Sequence, residues 1–183
     1  MAHDQLWAPW RLSYIKSDGE ADQPESRPLD FPEGADPECF LCRAAALRSD
    51  RQNLVVARKE GVITVLNRYP YNNGHVLVAP VAHKGRLDDL DKSEQLGCLA
   101  EVTRLVEMIE RLMNADGFNV GLNLGRTAGA GLPGHLHWHI VPRWNGDTNF
   151  MPVLAGVKVI PQSLESLWEL LADSSVEHDQ DAR

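Results

Sequence analysis

The stretch GHLHWHIVP, residues 134 to 142, places His135, His137 and His139 at every second position. Side chains of an extended chain alternate between two faces. Three imidazoles therefore share one face, and Leu136, Trp138 and Ile140 share the other. Imidazoles so arranged can converge on a metal. They can also act as nucleophile and acid–base groups, because the neutral ring, with an ordinary pKa of ~6.5, keeps a lone pair near pH 7. The preceding run NLGRTAGAGLPG carries Gly125, Gly129, Gly131 and Gly134. Glycines let successive N–H groups converge on phosphate oxygens. Their spacing is not that of G-x-x-x-x-G-K-[ST]. Loop and strand together point to a phosphate held beside imidazole. A second group is Cys39 and Cys42 in CFLC. Two thiols at this spacing serve a metal, a redox dithiol or a small-residue core position.

These residues need elements to hold them. FLCRAAALR has helical composition. LVVAR (54–58) and VITVLN (62–67) are β-branched runs on either side of a Lys-Glu-Gly turn, which predicts a hairpin. HVLVAP (75–80) predicts a third strand after the turn RYPYNNG. Asp91 and Glu94 form a capping-box pattern. Leu96, Leu99, Val102, Val106, Ile109 and Met113 then recur at helical spacing until Gly117. FNVGLNLG (118–125) and HLHWHIVP predict strands four and five, and LESLWELLA (164–172) a closing helix. The expected architecture is α+β: an antiparallel five-stranded sheet packed with one long helix and a C-terminal helix.

The chain has 183 residues, which fits one domain able to bury a core without disulfides. Residues 1–38 read as an aromatic segment with Trp7, Trp10 and Tyr14 followed by an acidic, proline-rich loop. Residues 39–183 read as the catalytic domain. The formal charge of −8 argues against a broad nucleic-acid surface. It leaves room for a small anion held by a local positive potential. No apolar run approaches the ~20 residues needed to span a bilayer, and the start of the chain lacks the pattern of a secretory signal. An odd number of cysteines disfavours a disulfide framework and fits a cytoplasmic setting.

HLHWHIV resembles the His-φ-His-φ-His-φ-φ signature of the histidine triad (HIT) family, where φ is apolar. LNRYPYNNGHVLVAPVAH (66–83) resembles the family's other signature. LWAPWR, GFNVGLNLG and PRWNGDTNF are similar to the bacterial branch that includes diadenosine tetraphosphate phosphorylases. The resemblance implies a HIT-like fold and cleavage of dinucleoside polyphosphates through a covalent nucleotidyl-His137, with phosphate or water as acceptor. It implies catalytic roles for His137, His139 and His75, the last close to the same phosphate. It implies substrate contacts from Asn67, Asn123, Gly131, His135, His139 and Trp144. At Gly131 many relatives carry a hydroxyl or amide, so here only a backbone N–H serves the leaving group. Protonated imidazoles and glycine-loop N–H groups would balance the charge of the transition state. In some relatives a pair like Cys39 and Cys42 joins residues matching His83 and His135 around structural zinc, with no organic cofactor. Pairing of subunits in the family implies a homodimer. Arg126 and Arg143 are weaker candidates for added charge. Cys98 reads as core or surface filler, and His3 and His178 receive no role.

Three other readings stand beside this one. A nucleoside phosphoramidase would use the same intermediate with an amine leaving group. A non-catalytic nucleotide-binding protein would keep the pocket alone. A structural metalloprotein would hold zinc with the triad itself.

Overall fold

The computed structural model describes residues 31–181. The aromatic segment and most of the acidic loop lie outside that range. Within it, Phe31 and Ala35 pack against the body.

The first helix, α1 (Phe40–Ala46), is short and lacks a side-chain N-cap. Its C-terminal end is closed by Arg58, whose guanidinium donates to the carbonyls of Ala44, Ala45 and Leu47 at 2.7–2.9 Å. The expected hairpin follows as β1 (Val55–Lys59) and β2 (Val62–Leu66), joined by Glu60 and Gly61, with Gly61 at φ +71°. β3 (Val76–Pro80) pairs with β2, and β5 (Trp138–Arg143) lies between β3 and β4 (Gly117–Leu122). All pairs are antiparallel, and the order is β1-β2-β3-β5-β4.

The long helix α2 runs Lys92–Met113. Its capping box forms as the sequence predicts: Glu94 N–H donates to Asp91 Oδ1 at 2.9 Å, and Asp91 N–H donates to Glu94 Oε2 at 2.8 Å. It stops at Asn114, which adopts the left-handed conformation at φ 49°, three residues before Gly117. Asparagine tolerates that region well enough to end a helix. The buried stripe is also displaced from the expected one. Cys98, Glu101, Val102, Leu105, Met108 and Ile109 face the sheet, whereas Leu96 and Leu99 are exposed. Apolar periodicity gives a helix its face only where something packs against it, and nothing among the described residues covers Leu96 or Leu99. Glu101 is tolerated inside because Thr64 donates to it at 2.8 Å and Arg104 pairs with it at 2.7 Å. A five-residue helix, α3 (Met151–Ala155), was not expected from the sequence. The closing helix α4 (Leu164–Asp181) is longer than its apolar run.

The sheet is covered on both faces. Val62, Leu66, Val76, Val78 and Ile140 pack against α2 and α4. Ile63, Val65, Leu77 and Ala79 pack against α1. That second layer covers only part of its face. Among the described residues nothing covers this face toward β4, which is a partly exposed edge strand.

Candidate active site and metal cluster

The histidine segment is not one continuous strand. β5 begins at Trp138, so only His139 is in the ladder; His135 and His137 lie in the irregular chain before it. Leu136 N–H donates to Lys84 carbonyl at 2.7 Å, which draws this piece toward residues 83–85. Glycine permits the approach: a Cβ on Gly85 would lie 2.8 Å from the Pro133 carbonyl oxygen, and one on Gly134 would lie 3.3 Å from His83 Nε2. The consequence is that the histidines part company.

His135 is wholly buried. Its Nε2 donates to the Pro80 carbonyl at 2.8 Å, and its Nδ1 lies 3.2 Å from Cys39 Sγ and 3.5 Å from Cys42 Sγ. His83 Nδ1 lies 3.2 Å from Cys42 Sγ. The four donor atoms of Cys39, Cys42, His83 and His135 all fall within 4.8 Å of one another. Tetrahedral zinc with bonds of ~2.0–2.3 Å requires donor separations of roughly 3.3–3.8 Å; the three sulfur–nitrogen separations of 3.2–3.5 Å lie near that range, so the set could close on such an ion. The carbonyl behind His135 is the outer hydrogen bond that fixes which nitrogen faces a metal. Burial pushes the Cys39 thiol up to about 11; a divalent cation reverses that preference and favours thiolate. Both ring nitrogens of His135 are thus engaged by protein atoms, which leaves its ring no free nitrogen for the substrate contact the sequence resemblance implies.

His137 faces the other way. Its Nδ1 donates to the carbonyl of His135 at 2.8 Å, so the neutral ring has its lone pair at Nε2, with no protein partner among the described residues. The ring centroid of His139 is 5.0 Å distant. His139 Nδ1 lies 2.9 Å from His75 Nε2, and His139 Nε2 lies 3.4 Å from the Asn123 amide. His75 is 1% exposed. Its Nδ1 accepts from Tyr71 N–H at 3.0 Å. Both nitrogens of His75 are thus engaged, one by Tyr71 N–H and the other by His139. Burial, with the neighbouring imidazoles adding to it, drives His75 down to about 3 and His139 to about 4. Desolvation and like-charge proximity favour the neutral form of both rings, against the protonated imidazoles the resemblance suggests.

Two separated signatures, one glycine-linked strand pair and one nucleophile-ready imidazole thus meet on an open sheet face. Residues 48–146 match the HIT domain family. The chain belongs to the HIT family. It is 42% identical over 168 residues to an AP-4-A phosphorylase of Mycobacterium tuberculosis, which covers 92% of this chain and 82% of that protein. It is 38% identical over 82 residues to an asymmetrical bis(5'-nucleosyl)-tetraphosphatase of Schizosaccharomyces pombe, covering 45% and 44%. Among solved structures, a Zn-bound histidine triad family protein from Mycobacterium smegmatis superposes with a TM-score of 0.58 at 28% identity, over 70% of this chain and 87% of that one.

The remaining predicted residues of this HIT protein divide. Asn67 joins the cluster: its Nδ2 lies 3.2 Å from His75 Nδ1 while its Oδ1 accepts from Tyr69 N–H at 2.9 Å, so it serves the turn and the site together. Asn123 reaches His139. Gly131 is exposed, and a side chain there would meet open space. The loop does not cradle an anion with every N–H, because those of Ala128, Gly129 and Ala130 close turns onto Gly125 and Arg126 carbonyls. Arg126 is exposed on that loop. Arg143 is paired with Asp147 and bonded to Asn119. Trp144 belongs elsewhere. Its Nε1 donates to the Met113 carbonyl at 3.1 Å, and it lines a cavity of about 430 Å³ with Asn73, Met113 and Gln162 that none of the histidines enters. Strand alternation explains this, since Trp144 is an odd number of residues from His139 and so faces the helical layer. Tyr71 was missed. Its ring stacks on His139, 5.6 Å between centroids and 16° from parallel. The only sequence signal was an aromatic residue four positions before His75.

Proposed function

We propose that this protein cleaves dinucleoside polyphosphates of the diadenosine tetraphosphate type through a covalent nucleotidyl-His137. The observation that carries the reading is the bond from His137 Nδ1 to the His135 carbonyl, which leaves Nε2 without a protein partner among the described residues. Nε2 attacks the α-phosphorus and a P–N bond forms. The P–O bond to the distal polyphosphate breaks, and the leaving oxygen keeps the electron pair. The His135 carbonyl holds the Nδ1–H of the ring as it turns cationic. Phosphate or water then attacks the same phosphorus, and the P–N electrons return to Nε2. His139 touches the phosphate and His75 orients His139. Asn67 and Asn123 contact the nucleotide, and the backbone N–H of Gly131 serves the leaving group. The 42% identity to a protein named AP-4-A phosphorylase supports phosphate as the acceptor.

Cys39, Cys42, His83 and His135 hold zinc in this reading, supported by their donor set and by the Zn-bound HIT relative. A bound zinc ion would pin the N-terminal side of the domain to the segment carrying His137. Residues 39–183 form the catalytic domain, with 1–38 as an appended segment. The exposed edge strand β4 and exposed Leu96 and Leu99 support a homodimer. No helix of the described chain is long and apolar enough to cross a membrane. Three free cysteines fit a reducing cytoplasm, and the net charge of −8 fits a nucleotide partner better than nucleic acid.

The test is product analysis with diadenosine tetraphosphate, with and without inorganic phosphate. ADP plus ATP only with phosphate marks a phosphorylase, and AMP plus ATP in plain buffer marks a hydrolase. Failure to form either, and failure to trap a nucleotide on His137, sinks the reading. Metal content by mass spectrometry and molar mass by light scattering test zinc and the dimer.

A further inference from the structure

The two histidines that face the open side of the sheet are fixed by main-chain groups of opposite kind. A carbonyl can only accept, so the His135 carbonyl requires the proton of His137 on Nδ1. A backbone N–H can only donate, so Tyr71 N–H, 3.0 Å from His75 Nδ1, requires that nitrogen to be bare. The neutral ring of His75 then carries its proton on Nε2. That proton points at His139 Nδ1, 2.9 Å away, which must accept. The proton of His139 is thereby sent to Nε2. The contact from that nitrogen to Asn123, 3.4 Å, becomes a donation to Oδ1 when the amide is rotated by a half turn.

We propose that Tyr71 is a positioning residue: its main-chain N–H, acting through His75, fixes His139 as a hydrogen-bond donor at Nε2 beside the bare Nε2 of His137. Asn67 does not compete for His75. Its amide orientation is set by Tyr69 N–H, and its Nδ2 lies nearer His75 Nδ1, at 3.2 Å, than Nε2, at 3.4 Å, so its donation agrees with a bare Nδ1. The Tyr71 ring walls the pair, 4.7 Å from His75 and 5.6 Å from His139 between centroids. The inference rests on His137 as the nucleophile. It adds that the site holds a lone pair and an N–H side by side before substrate arrives. The lone pair attacks phosphorus. The N–H donates a hydrogen bond to a phosphate oxygen as P–O cleavage loads it with charge, and the proton stays on His139. The opposite tautomer would turn a lone pair toward that oxygen and repel it.

Long-range proton–nitrogen correlation spectra of the nitrogen-15-labelled protein read which ring nitrogen carries hydrogen. The expected pattern is Nδ1–H for His137 and Nε2–H for His75 and His139. Tyr71→Phe and Tyr71→Ala keep the main-chain N–H and retain the pattern. Tyr71→Pro removes it, mixes the tautomers of His75 and His139, and lowers kcat about 100-fold, the order expected for loss of one oxyanion donor. Nδ1–H on wild-type His139 overturns the proposal even if Tyr71→Pro fails to fold. So does a changed pattern in Tyr71→Ala, or an unchanged pattern and kcat in Tyr71→Pro. The predicted tautomers without a trappable nucleotidyl-His137 would remove the functional reading and leave the tautomer assignment. The reverse tautomers with a trapped adduct would do the opposite.

Discussion

Six residues of one segment feed two sites that use imidazole in opposite ways. At the cysteine cluster, His135 is wholly buried, with one nitrogen on a carbonyl and the other on thiols. At the open face, His137 has a carbonyl on one nitrogen and no protein partner, among the described residues, on the other. The same side chain has both ring nitrogens engaged in the first place and one left without a partner, among the described residues, in the second. The difference lies in what covers each ring. Helix α1 and the 83–85 turn close over His135, while among the described residues nothing equivalent covers the sheet beside Gly121, where a Cβ would meet no atom within 4 Å. The lesson is that a structural ligand needs every donor atom satisfied by the protein, and a nucleophile needs one left over.

Replacing His137 by Ala is the sharpest way to separate the two regions. Turnover should fall by roughly 10⁴-fold or more, as for loss of a covalent nucleophile, while metal content stays at the wild-type level. Loss of metal with His137 would show that the two regions are one site. The converse variant, Cys39→Ser with Cys42→Ser, should lose bound metal and stability. Metal present at 1,000 times its Kd contributes about 4 kcal/mol, which for a chain of this size shifts Tm by roughly 8–16 °C. A melt unchanged by this double substitution would mean that the cluster binds nothing of consequence. Gly85→Ala is a subtler probe. The new Cβ would sit 2.8 Å from Pro133 oxygen, forcing apart the two pieces that carry His83 and His135, at a cost of about 1–3 kcal/mol. Chemical denaturation and metal titration should both register it, and wild-type values in both would show that the approach is not needed.

A further effect concerns acid. Unfolded imidazoles take up protons near ~6.5, but folded His75 and His139 resist until about 3 and 4. Between those limits the unfolded state binds more protons. Stability contributed by these neutral rings is therefore full above ~6.5 and is lost as pH falls toward 4. Denaturant midpoints at fixed ionic strength should decline over that window, and less steeply in His75→Asn. Equal slopes in the two proteins would contradict the burial argument.

Much of this was legible beforehand. The hairpin, the capping box at Asp91, the order of five strands and the closing helix all rest on local periodicity and turn chemistry, which the chain carries with it. Also legible was the choice of Cys39, Cys42, His83 and His135, whose donor atoms the fold brings within 4.8 Å of one another. What failed were readings that need a partner to be known. Leu96 and Leu99 keep helical spacing with the core residues yet lie outside the core. Trp144 is near His139 in sequence but faces the helical layer. The protonation of His75 and His139 follows from burial, which no local pattern reports.

The sequence by itself determined that three alternating histidines, a glycine-rich loop and a Cys-x-x-Cys pair offer donors suited to phosphate and metal, because residue type and spacing fix which donors a short segment can present. Only the tertiary structure decided which histidine serves which task. That choice depends on groups distant in the chain, the carbonyl of Pro80, the thiols of Cys39 and Cys42 and the N–H of Tyr71. A ring nitrogen becomes ligand, donor or nucleophile according to what stands opposite it in space.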